Sequence, residues 1–155
     1  MSVTTEPAQD ILERTRQAAH PYCIICGRAP DCGLGVHFCL QQDGAVEAGF
    51  ECIGRYQGHE GLLHGGITSS LLDGAMTNCL FAHGIVAVTA EMTVRFRHPI
   101  DVNQLLVVRA HITRSQPPLH IVEAEIVQEG QVKAKASGKF MERDNGSGVI
   151  AGTVP

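Results

Sequence analysis

His64, Gly65 and Gly66 stand directly before an apolar stretch whose only formal charge is Asp73, and this combination is where the chain can do chemistry. The stretch reads HGGITSSLLDGAMTNCLFAHG, from His64 to Gly84. It places two consecutive glycine N–H groups at a predicted helix start and a lone carboxylate about two turns further in. The first N–H groups of a helix lack intrahelical acceptors and lie at the positive end of its dipole, so they can hold an oxyanion. A carboxylate in apolar company can act as a general base or a nucleophile. Together the two features point to acyl transfer. Losing one oxyanion donor costs about 3–4 kcal/mol of transition-state stabilisation in enzymes that depend on it.

On a helical wheel, Ile67, Leu71, Leu72, Ala75, Met76 and Cys79 form a broad apolar arc. Ser69, Ser70, Asp73 and Thr77 share the remaining stripe. A solvated helix face normally carries Lys, Glu and Arg, whereas this one has small hydroxyls and one acid. Asp is a poor mid-helix residue, and Gly74 beside it costs roughly a further 1 kcal/mol against Ala. Such a short polar surface suits close packing against a ligand or another chain. The alternative is a solvent-facing Asp on an ordinary amphipathic helix, with the glycines serving only a tight turn.

Several elements must position this helix. Residues 7–20 have helical spacing, with Ile11, Leu12, Ala18 and Ala19 as a modest apolar face and Pro21 as a stop. Val36, Phe38 and Leu40 then alternate with His37 and Cys39. A turn at Gln42-Asp43-Gly44 leads to Val46, Ala48 and Phe50 alternating with Glu47, Gly49 and Glu51, a predicted hairpin. A Gly-rich loop spans Gly54 to Leu63. The central helix is predicted from about Gly66 to Ala82. Four strands follow over about 86–97, 104–114, 119–129 and 131–141, punctuated by Pro99, Asn103, Pro117-Pro118 and Glu129-Gly130. Two strands, one long helix and four consecutive strands predict an α+β domain with an antiparallel sheet covered by a helix.

The chain of 155 residues is 44% hydrophobic and 18% charged, as expected of a globular domain rather than a disordered segment. The expected organisation is an N-terminal tail and helix over 1–22, the domain over 23–143, and a flexible tail over 144–155. A net charge of −4 without a basic cluster argues against a nucleic-acid partner. No apolar run approaches the roughly 20 residues needed to span a bilayer, so no membrane partner is expected. The N-terminus lacks an apolar signal core. These features predict a cytoplasmic protein.

Four of the six cysteines, Cys23, Cys26, Cys32 and Cys39, fall within seventeen residues. In a reducing compartment thiols are expected over disulfides. Cys23-x-x-Cys26, with His20, Cys32 and His37 nearby, has enough donors for tetrahedral zinc, but a second Cys-x-x-Cys is absent. The expectation is therefore buried thiols bracketing a turn, with no metal.

Three segments now bring a family into view. CIICGRAPDCGLGVHF at Cys23–Phe38, GLLHGGITSSLLDGAM at Gly61–Met76 and VTAEMTVRFRHPI at Val88–Ile100 occur in an informative order and spacing. In these the chain resembles the hotdog-fold acyl-CoA thioesterases, in the branch of the phenylacetyl-CoA thioesterases and the human mitochondrial acyl-CoA thioesterase-like proteins. The resemblance implies a curved antiparallel sheet of about six strands wrapped around one central helix. It also implies dimers or tetramers with active sites at the dimer interface, and an acyl-CoA substrate. Coenzyme A then enters as part of the substrate, with no separate cofactor. By motif, Asp73 matches the catalytic carboxylate and Gly65 the residue whose N–H polarises the thioester carbonyl. Thr89 matches a hydroxyl residue that helps place the water. Where the phenylacetyl type has Asn or a similar polar residue, six positions before the His, this chain has Gly58, flanked by Gln57 and His59.

His64, Gly66, His59, Gln57 and Ser70 are the candidate substrate contacts. For His64 the simpler role is a ring that bonds nearby backbone and fixes the turn. His83 is expected to cap the helix end or face water. Glu91, on the face of Thr89 by period two, is expected either to join the site or to make an edge ion pair. Arg95, Arg97, Arg114, Lys133, Lys135 and Lys139 could meet the nucleotide, though as solvated charges they need no such role. The expected activity is hydrolysis of an acyl- or aryl-CoA thioester. Its rivals are an enoyl-CoA hydratase or dehydratase of the same fold, and a non-catalytic acyl-CoA-binding module.

Overall fold

The computed structural model describes residues 6–29, 31 and 33–143. The first five residues, Cys32 and the tail expected over 144–155 lie outside the described residues. Helix α1 (Gln9–Ala19) comes first, then β1 (Cys39–Leu40), β2 (Val46–Glu51), a 3-10 turn at Gly54–Tyr56, and α2 (Gly65–Phe81). Strands β3 (Ala87–Phe96), β4 (Leu105–Gln116), β5 (Leu119–Gln128) and β6 (Gln131–Glu142) complete the chain. All pair antiparallel in one six-stranded sheet of order β1-β2-β4-β5-β6-β3. Bulges at Thr89/Glu91, Ile112/Arg114 and Ile126/Val127 accompany its curvature. The sheet curves around α2 in the hotdog arrangement.

Alternation builds the core. Leu106, Val108 and Ala110 from β4, and Val122, Ala124 and Ile126 from β5, are buried toward α2, while Glu123 and Glu125 are not. From α2, Leu71, Leu72, Ala75, Met76, Cys79 and Leu80 are fully enclosed. The remaining side of α2 is less open than its wheel predicts, because Thr68, Thr77 and Asn78 are buried as well. Helix α1 and the segment after it pack on the middle and end of α2, where Ile25 meets Gly74 and His20 meets Phe81.

Two local expectations need correction. In α1 the buried residues are Leu12 and Arg16, while Ala18 is exposed. Arg16 escapes the cost of burial by donating to the Cys26 carbonyl (3.3 Å) and to Glu13 (3.2 Å). The first hairpin strand is also shorter than the alternation implies. Val36 and Phe38 do point inward, but only Cys39 and Leu40 pair with β2. The Leu34 and Val36 N–H groups donate instead to the Ile24 and Ile25 carbonyls at 2.8 and 2.7 Å, and Leu40 N–H donates to the Gln9 side chain at 2.7 Å. The extended segment is thus stitched to the cysteine loop and α1 rather than to the sheet.

At the far end of β4, β5 and β6, His120 is buried between Ser115 (2.8 Å) and Glu142 (2.7 Å), tying the three strands together.

Candidate active site

The chain enters α2 through His64, which has extended backbone and is the N-cap. Its Nδ1 accepts the Gly66 N–H at 2.8 Å. The ring therefore fixes the turn, and one of the two glycine amides is committed to it. Gly65, the first residue of the helix, has no intrahelical carbonyl within reach of its N–H. The geometry narrows the candidate oxyanion donor from a pair to Gly65.

Gly58 is explained here too. A Cβ at that position would sit 3.1 Å from the His64 ring and 3.2 Å from its Cα. A larger residue, such as the Asn of the phenylacetyl type, would displace His64 from this arrangement. Gln57 turns back to accept the Gly61 N–H (3.1 Å), while the His59 side chain is exposed. Gln57, Gly58, His59, Leu63, His64 and Gly65 line an opening of about 530 Å³. On its other side, Gly65 borders a second cleft of about 270 Å³ with Phe96 and Pro99.

Asp73 lies elsewhere on the helix. Thr89, on β3, donates its hydroxyl to Asp73 Oδ1 at 2.7 Å. The acid is half-buried, and burial pushes its carboxyl above the ordinary value of 3.8, against the lowering effect of the Thr89 hydroxyl. A Cys23 thiolate adds to the rise and His20 opposes it, so the cysteine loop is an electrostatic neighbour of this acid. Gly74 permits that approach. A Cβ there would meet the Ile25 side chain at 2.6 Å, so the loop seats directly on the helix.

The structure brings Gln57, His59, His64 and Gly65 together, and Asp73 with Thr89, as two separate groups. Eight residues of helix set Gly65 and Asp73 about 12 Å apart along the axis. Ser70 belongs to neither group, since its hydroxyl donates to the Gly66 carbonyl at 2.8 Å. The bulge between Thr89 and Glu91 breaks the period-two relation expected of them, and Glu91 pairs with Lys139 at 3.2 Å.

Of the basic residues, Lys133 is buried and Lys135 pairs with Glu125 (3.7 Å). Arg95, Arg97, Arg109 and Lys135 border a groove of about 700 Å³, in which Arg109 is held by Asp43 and Glu47. Sequence reasoning missed Phe96, which is 57% exposed and passes 3.5 Å from where a Gly65 Cβ would be. Period two puts it on the face of Met92 and Val94, a core signature that the end of the strand does not honour.

Residues 60–135 match the family profile described as the thioesterase superfamily. Acyl-coenzyme A thioesterase 13 of Mus musculus is 27% identical over 81 residues, which is 51% of this chain and 58% of that protein. The chain thus spans little more than half the length of this curated relative. The PaaI protein of the E. coli phenylacetic acid degradation operon superposes with a TM-score of 0.75 at 18% identity, over 87% of this chain and 95% of that one. A protein of Streptococcus mutans solved with acetyl CoA superposes with a TM-score of 0.65 at 17% identity, over 70% and 88% of the two chains. The chain has the fold of these solved proteins, and residues 60–135 are similar to the thioesterase superfamily. Among the described residues no helix is long and apolar enough to cross a membrane.

Proposed function

We propose that this chain is an acyl-CoA thioesterase working as a homo-oligomer, with each site built from two copies. The single observation that carries this reading is the half-buried Asp73 held by the Thr89 hydroxyl at 2.7 Å. A carboxylate so placed keeps one oxygen oriented while the other faces a substrate or water.

In the reaction, the Gly65 N–H of one protomer polarises the thioester carbonyl and stabilises the oxyanion. Asp73 of the other protomer removes a proton from water, or attacks the carbonyl itself to give a mixed anhydride that water then opens. The tetrahedral intermediate collapses with loss of the coenzyme A thiolate, which takes up a proton. Thr89 orients the acid or the water.

The separation of about 12 Å within one helix supports a composite site, because one carbonyl cannot meet both groups of the same chain. The sheet supports it too. β3 is an edge strand, pairing with β6 alone in this chain, and it carries Thr89. An uncovered ten-residue edge is a ready surface for a second copy. The superfamily, the thioesterase 13 relative and the acetyl-CoA-bound neighbour support a coenzyme A thioester as the substrate class.

The test is a thiol-release screen across short, medium, long and aromatic coenzyme A esters, using wild type and Asp73→Ala. Turnover of at least one class, falling at least about 100-fold in the variant, supports the reading. Water addition to an enoyl-CoA without thiol release would favour the hydratase. Tight binding without turnover, unchanged in Asp73→Asn, would favour the binding module.

A further inference from the structure

A second constellation lies on the covered side of α2; its side chains take no step in the hydrolysis above, though Cys23 and His20 are electrostatic neighbours of Asp73. His20, Cys23 and Cys26 are spaced three apart, and two tight turns stack them on one side of the chain. Cys23 N–H donates to the His20 carbonyl (3.4 Å), and Gly27 N–H donates to the Cys23 carbonyl (2.8 Å). The imidazole and the two sulfurs each offer one ligand atom, and all three atoms lie within 4.8 Å of one another.

We infer that His20, Cys23 and Cys26 bind one soft divalent cation, with zinc the best fit, and that the ion fastens the segment after α1 to the middle of α2. A tetrahedral zinc ion with bonds of about 2.3 Å to sulfur and about 2.0–2.1 Å to nitrogen puts its sulfur and nitrogen ligands about 3.6 Å apart. Cys26 Sγ and His20 Nδ1 are 3.7 Å apart. Two thiolates and an imidazole select zinc over magnesium or calcium, which take oxygen. Two thiolate charges also cancel those of the ion, so a neutral unit enters a partly buried position.

The surroundings are those of a supported metal centre. Ile25 N–H donates to Cys23 Sγ at 3.3 Å. The His20 ring is set edge-on against Phe81, with centroids 5.0 Å apart. Arg16 grips the Cys26 carbonyl. The Asn78 amide reaches the Cys26 sulfur and donates to the Gly74 carbonyl at 2.8 Å, yet its buried Oδ1 has no partner among the described residues. A water as fourth ligand would donate to that oxygen. A dithiol redox pair would use the two sulfurs and leave both His20 and the Asn78 oxygen unexplained.

Binding displaces any proton the two sulfurs still hold, so affinity falls as the solution is acidified. The site is not routed into hydrolysis; it would act by holding the loop.

The test uses the purified protein, stripped with a chelator and kept reduced with a non-thiol reductant. Addition of cobalt(II) is expected to produce a sulfur-to-metal charge-transfer band and tetrahedral d–d bands that saturate at one equivalent and vanish on adding zinc. Zinc is expected to raise Tm. Cys23→Ser and Cys26→Ser should lose the charge-transfer intensity and the Tm shift, His20→Gln should weaken both, and the exposed-residue control Cys39→Ser should keep both. Circular dichroism of each apo variant separates loss of the ion from loss of the fold. If the folded wild type gives no charge-transfer band, the proposal is overturned. It is equally overturned if the band persists in folded Cys23→Ser and Cys26→Ser.

Discussion

The first turn of α2 and its middle differ in nearly every physical respect. The first turn opens on two residues without side chains, Gly65 and Gly66: the polarity there is backbone, and His64 uses one of the two amides to hold the turn. The middle is packed under the cysteine loop, its polarity is a single carboxyl, and that carboxyl is oriented from a neighbouring strand by Thr89. Donating to a developing anion requires an amide that a substrate can reach. Acting as a base near neutrality requires an acid kept partly from water. One helix supplies both settings, but about 12 Å apart. The difference therefore argues for two copies of the chain at each site.

The largest effect should come from breaking the middle alone. Asp73→Ala is expected to lower thioester hydrolysis at least about 100-fold with the fold and assembly intact, measured by thiol release and size-exclusion chromatography. A bulky residue at Gly65 should be similarly damaging, because it covers the amide. Mixing these two inactive variants then tests the comparison directly. If the sites are shared in a dimer, random reassembly restores about a quarter of wild-type turnover. No recovery after verified subunit exchange would mean that each chain works by itself.

Next in size is the clasp on the acid. Thr89→Val should reduce turnover roughly 10-fold, about the value of one hydrogen bond to a charged group. The sign of its pH effect is fixed. Asp73 acts when deprotonated, and burial already raises it above 3.8, so the acid limb of the rate profile lies above that of an ordinary carboxylate. Removing the Thr89 hydroxyl removes a lowering influence and should move the limb further up. A limb that moves down would put the hydroxyl in another role.

Gly74→Val should destabilise by about 1–3 kcal/mol through the clash with Ile25, and Ile25→Ala should recover part of it in a double-mutant cycle read by urea unfolding. The smallest expected effect is on stability at the acid itself. A carboxyl raised on folding contributes stability that is present below its unfolded value and lost as pH rises through its folded value. Asp73→Asn should therefore raise Tm at pH 7, with the gain disappearing on acidification. A lower Tm at pH 7 would show that Thr89 outweighs burial.

Much of this was legible in the sequence where one periodicity acted over a long run. The central helix is displaced by one residue from its expected bounds, and β3 to β6 lie within two residues of theirs. The segment before β1 was not legible, because its backbone donors go to Ile24 and Ile25, partners that alternation cannot name. The acid and the threonine were matched by motif; only the coordinates put them 2.7 Å apart. The commitment of the Gly66 amide to His64 follows from ring geometry that spacing does not encode. Phe96 was hidden by its own regularity, since alternation reads the same whether or not a strand end is covered.

The missing side chain at Gly74 has one more consequence. Ile25 drops into the notch there as a pawl drops into a ratchet, so the loop has a single axial seat on the helix. Lengthening or shortening the chain between Ala19 and Ile25 would leave that pawl off its tooth. Natural variation in length should accordingly collect elsewhere, where no such detent sets the stroke.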